Sequence, residues 1–117
     1  MPSIRDVVQA LSRREGVDAV IVLSRDGLTV DASARDGLDP EGLAALVPSV
    51  AAACNRLGTA AARGEFASSV VEYGRGMVVV TVLTADVLLA IVVAAGVNIG
   101  ALLYELHQQR TSIAGLL

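Results

Sequence analysis

The sequence contains no lysine and no tryptophan, and it has one cysteine and one histidine among its 117 residues. The single cysteine, Cys54, excludes a disulfide framework within the chain, and its position among alanines favours a small buried side chain. One cysteine and one histidine, His107, are too few ligands for a zinc site. A Gly-x-x-x-x-Gly-Lys phosphate loop is impossible without lysine, and no Gly-x-Ser-x-Gly elbow occurs. We therefore expect no metal, no cofactor, no small-molecule substrate and no enzymatic activity.

Basic residues are few and are not concentrated in one segment. All nine are arginine, and the net charge is −3, so nucleic acid is not an expected partner. The N-terminal segment, residues 1–16, lacks an uninterrupted apolar run and contains acidic residues, unlike a signal peptide. We therefore expect a cytoplasmic protein with a single domain over residues 1–117, a length that supports a real core.

One apolar stretch, Gly76 to Gly100, contains a single charged residue, Asp86. It is long enough to span a bilayer, but it also fits two buried strands joined near Asp86. The hairpin is favoured because a central carboxylate is costly in a membrane and because 11 of the 21 residues from Met77 to Val97 are Val, Ile or Thr. We expect no membrane insertion. The hydrophobic fraction of 54% and the mean hydropathy of +0.63 then indicate burial between subunits.

Local patterns predict the remaining elements. A first amphipathic helix is expected near residues 3–15, followed by strands at 17–24 and 28–34, with Asp31 indicating that the second strand lies at a sheet edge. Strands are also expected at 66–73, 77–84 and 87–94, and Asn98 caps a last helix. The apolar stripe of that helix is Ile99, Leu102, Leu103, Leu106 and Ile113.

The middle helix has a clear start, because Asp39 is a good N-cap and Pro40 fits the first helical position. It is expected to run toward Arg63, with Pro48 kinking or dividing it. The inner stripe is predicted to be Leu43, Leu46, Val47, Val50, Cys54, Leu57 and Ala61. The outer face is predicted to be Glu41, Ala45, Ser49, Ala52, Asn55, Arg56, Thr59 and Arg63, whose small residues permit close approach of another helix.

These elements predict an α/β (α+β) fold with the order α-β-β-α-β-β-β-α. Strands that are apolar on both faces require helices on both sides, which gives a three-layer α/β/α sandwich. Short turns and polar outer strands favour a five-stranded, mainly antiparallel sheet in the order 2-1-5-4-3. The third strand is then an edge without proline or lysine, open to pairing with another copy through Ala67, Ser69, Val71 and Tyr73. Arg110 falls within the apolar stripe of the last helix, which indicates either a snorkelling side chain or a salt bridge at an interface.

Three segments together resemble the roadblock family (the dynein light chain roadblock type), in particular its bacterial MglB-like regulators of Ras-like GTPases. They are GVDAVIVLSRDGLTV after the first helix, LDPEGLAAL at the start of the middle helix, and LLAIVVAAGVNIGALLYEL at the end of the hairpin. The resemblance covers nearly the whole chain. It implies a profilin-like domain that forms a homodimer through its third strands, with the two middle helices side by side as a docking platform for a small GTPase.

The resemblance implies a regulator or scaffold of a small Ras-like GTPase that modulates the nucleotide cycle of its partner. The contact residues would be Ser49, Ala52, Asn55, Arg56, Thr59 and Arg63 on the outer face of the middle helix. The alternative is a structural adaptor in a larger signalling or motility complex, with no effect on GTP turnover. A third interpretation, a small-ligand sensor, would require a cavity beneath the sheet, and the densely apolar strands favour a filled core.

Overall fold

A computed structural model describes residues 2–117 and contains three helices and five strands in the predicted order. The elements are α1 (Ile4–Ser12), β1 (Val17–Ser24), β2 (Thr29–Ala34), α2 (Pro40–Ala60), β3 (Ser68–Tyr73), β4 (Gly76–Val82), β5 (Val87–Ala94) and α3 (Ile99–Ala114). All pairs of neighbouring strands are antiparallel, and the sheet order is β2-β1-β5-β4-β3. The predicted fold and sheet order are confirmed, including the edge position of β2. The third strand starts at Ser68, two residues later than predicted.

Two hydrophobic clusters lie on opposite faces of the sheet, because apolar side chains alternate along β1, β4 and β5. On one face, residues of α2 pack with side chains such as Ile21, Leu88 and Val80. On the other face, residues of α1 and α3 pack with side chains such as Val20 and Ile91. The apolar stretch identified in the sequence therefore forms β4, β5 and the start of α3, as the hairpin prediction required.

Each helix begins at a polar cap that satisfies a backbone N–H. Ser3 and Asp6 form a reciprocal capping box at α1. The Asp39 side chain accepts a hydrogen bond from the N–H of Gly42 at 3.1 Å, and the Asn98 side chain accepts one from Ala101 at 3.2 Å. The caps predicted from the sequence at Asp39 and Asn98 are thus confirmed.

Pro48 does not divide α2, which runs as one helix from Pro40 to Ala60. Buried residues on both sides of it, Val47 and Ala51, pack into the same cluster. Proline has no N–H, so the carbonyl of Ala44 loses its usual helical partner. The turn between β1 and β2 lies against this segment at Gly27, where an added Cβ would be 3.3 Å from the Ala44 oxygen. Glycine suits this position for two reasons: its φ is +86°, in the left-handed region that favours glycine, and it has no Cβ to crowd α2.

The inner stripe predicted for α2 is partly wrong. The residues that are buried are Ala44, Val47 and Ala51, whereas Leu46 and Leu57 are 68% and 69% exposed. Small side chains let the helix axis approach the sheet closely, so the larger leucines are displaced to one flank. Cys54 is a free, half-buried thiol.

By length and composition, α2 is the one helix in residues 2–117 that could cross a membrane. Its most apolar window has a hydropathy of 1.2, and 17% of that window is buried. Because Ala44, Val47 and Ala51 pack into the sheet, α2 is a helix of the domain with a large uncovered apolar surface.

Candidate functional site

The outer face of α2 is open along its whole length, as predicted. Glu41, Ala45, Ser49, Ala52, Asn55, Arg56 and Thr59 are all exposed. Arg63 is also exposed but follows the helix, which ends at Ala60. Five of the six residues predicted to contact a GTPase therefore lie on one exposed face of α2, and the sixth, Arg63, is exposed beyond the end of the helix.

Two residues of this face also hold the local structure. The side-chain oxygen of Asn55 accepts a hydrogen bond from the N–H of Phe66 at 3.0 Å, and the hydroxyl of Thr59 donates to the carbonyl of Asn55 at 3.2 Å. The first bond ties α2 to the segment that leads into β3. This role was not predicted from the sequence, since nothing in the local pattern links residues 55 and 66.

A second surface on α2 is apolar. Leu46, Ala53 and Leu57 are exposed, whereas Val50 is half-buried against the core. The four residues recur at spacings of four, three and four, and we call them the apolar flank of α2. The opposite flank of α2 faces the end of the strands that carries the β1–β2 turn and the residues before β3, because Glu41 borders a cleft with Leu28 and Asn55 binds Phe66. The apolar flank therefore faces the other end of the strands, which carries the β3–β4 turn. The spacing of Leu46 and Leu57 in the sequence is that of a helical stripe. That spacing predicted buried core positions for both residues and not an exposed flank.

The sheet is incompletely covered beside this flank. Helix α2 packs mainly on β2, β1 and β5, which leaves the side chains of β4 and β3 on that face only partly covered. Val78 and Val71 oppose each other there and are half-buried, while Tyr73 is 60% exposed. The apolar flank of α2 and the half-buried or exposed side chains Val78, Val71 and Tyr73 thus lie on the same face of the sheet.

The register of β3 determines which of its residues belong to this surface. Ser69 and Val71 oppose Val80 and Val78, which contact the α2 cluster. Alternation then places the four predicted dimer residues, Ala67, Ser69, Val71 and Tyr73, on the α2 face. Ala67 precedes the strand but still accepts a hydrogen bond from the N–H of Val82 at 2.9 Å. On the side away from β4, β3 has no neighbouring strand among residues 2–117.

The clefts of the molecule offer little chemistry. An open cleft of about 680 Å³ lies between the α1–β1 loop and the start of α3, and it is lined by residues such as Gly16, Ala95 and Asn98. Its one cationic side chain, Arg14, forms an ion pair with Glu105. Within the described part of the chain, no group of three His, Cys, Asp or Glu side chains could hold a metal ion.

Comparison with known proteins agrees with this architecture. The family model described as Roadblock/LC7 domain matches residues 4–93. Among solved structures, the chain is similar to MglB of Myxococcus xanthus, with a TM-score of 0.86 at 17% identity over 97% of this chain and 93% of that one. It is also similar to an MglB with a tetrameric arrangement, with a TM-score of 0.83 at 20% identity over 97% and 86%.

A third similar structure is MglC from Myxococcus xanthus, with a TM-score of 0.70 at 24% identity, covering 99% of this chain and 100% of that one. These likenesses show the fold. No curated protein matches the chain.

Proposed function

Because this chain belongs to the Roadblock/LC7 domain family, whose members are generally regulatory or adaptor proteins, we propose that it is a cytoplasmic homodimeric regulator of a small Ras-like GTPase. In this proposal the protein binds the GTPase and modulates its nucleotide cycle without catalysing a reaction by itself. The proposal depends on two surfaces: one that joins two copies and one that receives the GTPase.

The observation that carries the proposal is the uncovered apolar surface formed by the flank of α2 and the open part of β4 and β3. A second copy would bury it by pairing β3 with β3 and by laying the two apolar flanks of α2 against each other. Burying one large apolar side chain such as Leu46 or Leu57 contributes about 1.5–3 kcal/mol, and each dimer would bury two copies of each. Self-association is consistent with the tetrameric arrangement of one MglB of similar fold.

The outer face of α2 supplies the proposed GTPase contact. Ser49 and Ala52 are small and exposed, so a partner surface can approach the helix backbone closely. Arg56 and Arg63 are exposed, and among residues 2–117 neither forms an ion pair. Two guanidinium groups that no carboxylate neutralises, at the end of a small-residue surface, fit a partner with acidic side chains.

The test is to mix the protein with the small Ras-like GTPases encoded in the same genome and to measure binding and GTP hydrolysis. We expect binding to one of them and a changed hydrolysis rate. The double variant Arg56→Glu with Arg63→Glu should weaken that binding roughly tenfold or more while the protein stays dimeric. Arg13→Glu, an exposed charge reversal on the opposite face of the sheet, is the matched control and should bind normally.

Each outcome separates the candidate functions. Binding to none of the GTPases would overturn the proposal. Binding without any change in hydrolysis would leave the adaptor role, which is the alternative within the same family. Equal loss of binding in the double variant and the control would show that the contact lies elsewhere.

A further inference from the structure

Arg110 is a half-buried arginine of α3, and two of the three nitrogens of its guanidinium group have no partner among residues 2–117. Its Nε and Nη2 atoms are shielded from solvent and have no hydrogen-bond partner in residues 2–117. An arginine that only snorkels keeps these atoms in water. Leaving a buried charge unpaired is strongly unfavourable, so proteins normally supply a carboxylate. This position therefore calls for an acidic group that residues 2–117 of the single chain do not provide.

The position of Arg110 on α3 shows where that group must come from. Helix α1 packs on β1 and β2, and α3 lies beside it, since Glu105 and Gln109 line a cleft with residues of α1. The core residues Leu106 and Ile113 separate this side of α3 from the side that carries Arg110. Arg110 therefore lies on the flank of α3 that faces away from α1, toward the β3 edge.

The level of Arg110 along the sheet follows from helix and strand lengths. Helix α3 begins just after the end of β5, where Ala94 pairs with Gly76. Arg110 is 11 residues into the helix, or about 16 Å along it, and Thr81 is about 17 Å along β4 from Gly76. Arg110 is thus placed near the level of Thr81, whose own buried hydroxyl also has no partner in the described chain. On β3, the residue opposite Thr81 is Ser68.

The residues of β3 that face α3 include one carboxylate. Ser68, Val70 and Glu72 alternate on this face, because Val70 opposes Val79 of the α3 cluster. Glu72 lies four residues from Ser68, about 13 Å along the strand, and so at the wrong end for its own Arg110. A second copy of β3 paired antiparallel to the first would bring its own Glu72 toward the Ser68 end of the first strand, near Arg110.

A two-fold axis perpendicular to the sheet would place the same face of both copies on one side, and directly opposed residues share a face. The two central positions of β3, Val70 and Val71, are the natural places for the axis. If the axis passes through Val70, Ser68 lies opposite Glu72 of the partner subunit. If the axis passes through Val71, Val70 lies opposite Glu72 of the partner subunit. In either register the partner's Glu72 comes to the α3 face near the level of Arg110.

We propose that Arg110 of one protomer forms an ion pair with Glu72 of the partner subunit across the β3–β3 edge, on the face of the sheet opposite α2. The inference rests on the proposed homodimer and adds a specific contact to it. The dimer has two such pairs, related by symmetry. They penalise pairing of β3 with an unrelated edge strand, which would leave both guanidinium groups buried without a partner.

Charge reversal in separate chains provides the test. Arg110→Glu places two carboxylates against each other at each contact, and Glu72→Arg places two guanidinium groups there. Each variant alone should dimerise at least roughly tenfold more weakly than the natural protein, as measured by analytical ultracentrifugation.

Mixing the two variants should restore association. In a heterodimer, the carboxylate introduced at position 110 of one chain meets the guanidinium group introduced at position 72 of the other. At the second contact, the natural Arg110 meets the natural Glu72. Because both contacts are then attractive, the mixture should form heterodimers with nearly the natural affinity.

Control variants test whether the effect is specific to Arg110 and Glu72. Arg13→Glu and Glu15→Arg change exposed charges away from β3 and should leave dimerisation unchanged. Arg110→Met keeps the apolar stem and is the second variant if Arg110→Glu fails to fold, as judged by circular dichroism; it should also weaken the dimer.

The outcomes distinguish the ion pair from the homodimer on which it rests. A monomeric natural protein at concentrations of tens of micromolar would overturn the homodimer itself. A natural dimer that Arg110→Glu, Arg110→Met and Glu72→Arg leave unchanged would overturn the ion pair alone. The ion pair would also be overturned if Arg110→Glu and Glu72→Arg formed heterodimers no more readily than each variant forms homodimers.

Discussion

The side-chain oxygen of Asn55 lies 3.0 Å from the backbone nitrogen of Phe66 and accepts its hydrogen bond. This bond connects the outer face of α2 with the residue that leads into β3. One of these surfaces is proposed to receive a GTPase and the other to pair with a second copy. The two proposed surfaces are thus joined by a polar contact as well as by the chain that connects α2 to β3.

Replacing Asn55 by alanine removes the acceptor for the Phe66 N–H. We expect a loss of about 1 kcal/mol in the free energy of unfolding, the usual contribution of one such bond. Urea denaturation followed by circular dichroism measures this. Asn55→Asp keeps an oxygen acceptor and should lose less; equal losses would show that the hydrogen bond is not the cause.

Leu46 on the apolar flank of α2 should be important for dimerisation and unimportant for folding of the single chain, because it is 68% exposed there. Leu46→Glu is expected to raise the dimer dissociation constant at least about tenfold, since a charge would be desolvated in the interface. Sedimentation equilibrium provides the measurement. Leu28→Glu is the matched control, because Leu28 is also 68% exposed but lies in the β1–β2 turn. If both variants dissociate equally, the interface does not include this flank.

Gly76 opens β4 with a φ of +148° and is buried. An added Cβ would overlap the carbonyl oxygen of Val93, so Gly76→Ala requires both backbone strain and movement of β5. We expect a loss of at least about 2 kcal/mol in stability, measured by thermal unfolding. Gly74→Ala, two residues away in the same turn with no neighbouring atom within 4 Å, should be nearly neutral. A similar loss in both variants would contradict a steric origin at Gly76.

Asp39 caps α2 through its bond to Gly42 at 3.1 Å. Asp39→Ala should cost about 1 kcal/mol, and Asp39→Asn should cost less because the amide oxygen still caps the helix. Guanidinium denaturation of the three proteins checks this order. If alanine and asparagine destabilise equally, the carboxylate acts through its charge at the positive end of the helix dipole and not through the hydrogen bond.

The arrangement of strands could be predicted because each signal was local. Val17–Ser24 and Val87–Ala94 occur as strands at the predicted residues, since runs of β-branched residues bounded by turns specify both their type and their length. Short turns then made sequential strands neighbours, and the polar character of β2 and β3 placed them at the edges. The resemblance to the roadblock family rested on the same segments, and the family match over residues 4–93 confirms it.

The orientation of α2 could not be predicted in the same way. Leu46 and Leu57 fit a helical stripe, but so do the alanines and Val47 that the structure buries. A helix with one apolar surface in its own core and a second that is largely exposed has too wide an apolar arc for periodicity to divide. The bond between Asn55 and Phe66 was equally invisible, because no local rule relates residues 11 positions apart across a loop.

The sequence by itself determined the elements, their order in the sheet and the two open edges, because propensity, capping and strand alternation act over a few residues. The tertiary structure decided which side of α2 is buried, which face of β3 carries Ser69 and Val71, and that two nitrogens of Arg110 are buried without a partner in residues 2–117. Those properties depend on how closely elements distant in the chain approach one another. That distance is set by the packing of whole layers and is not encoded in any single segment.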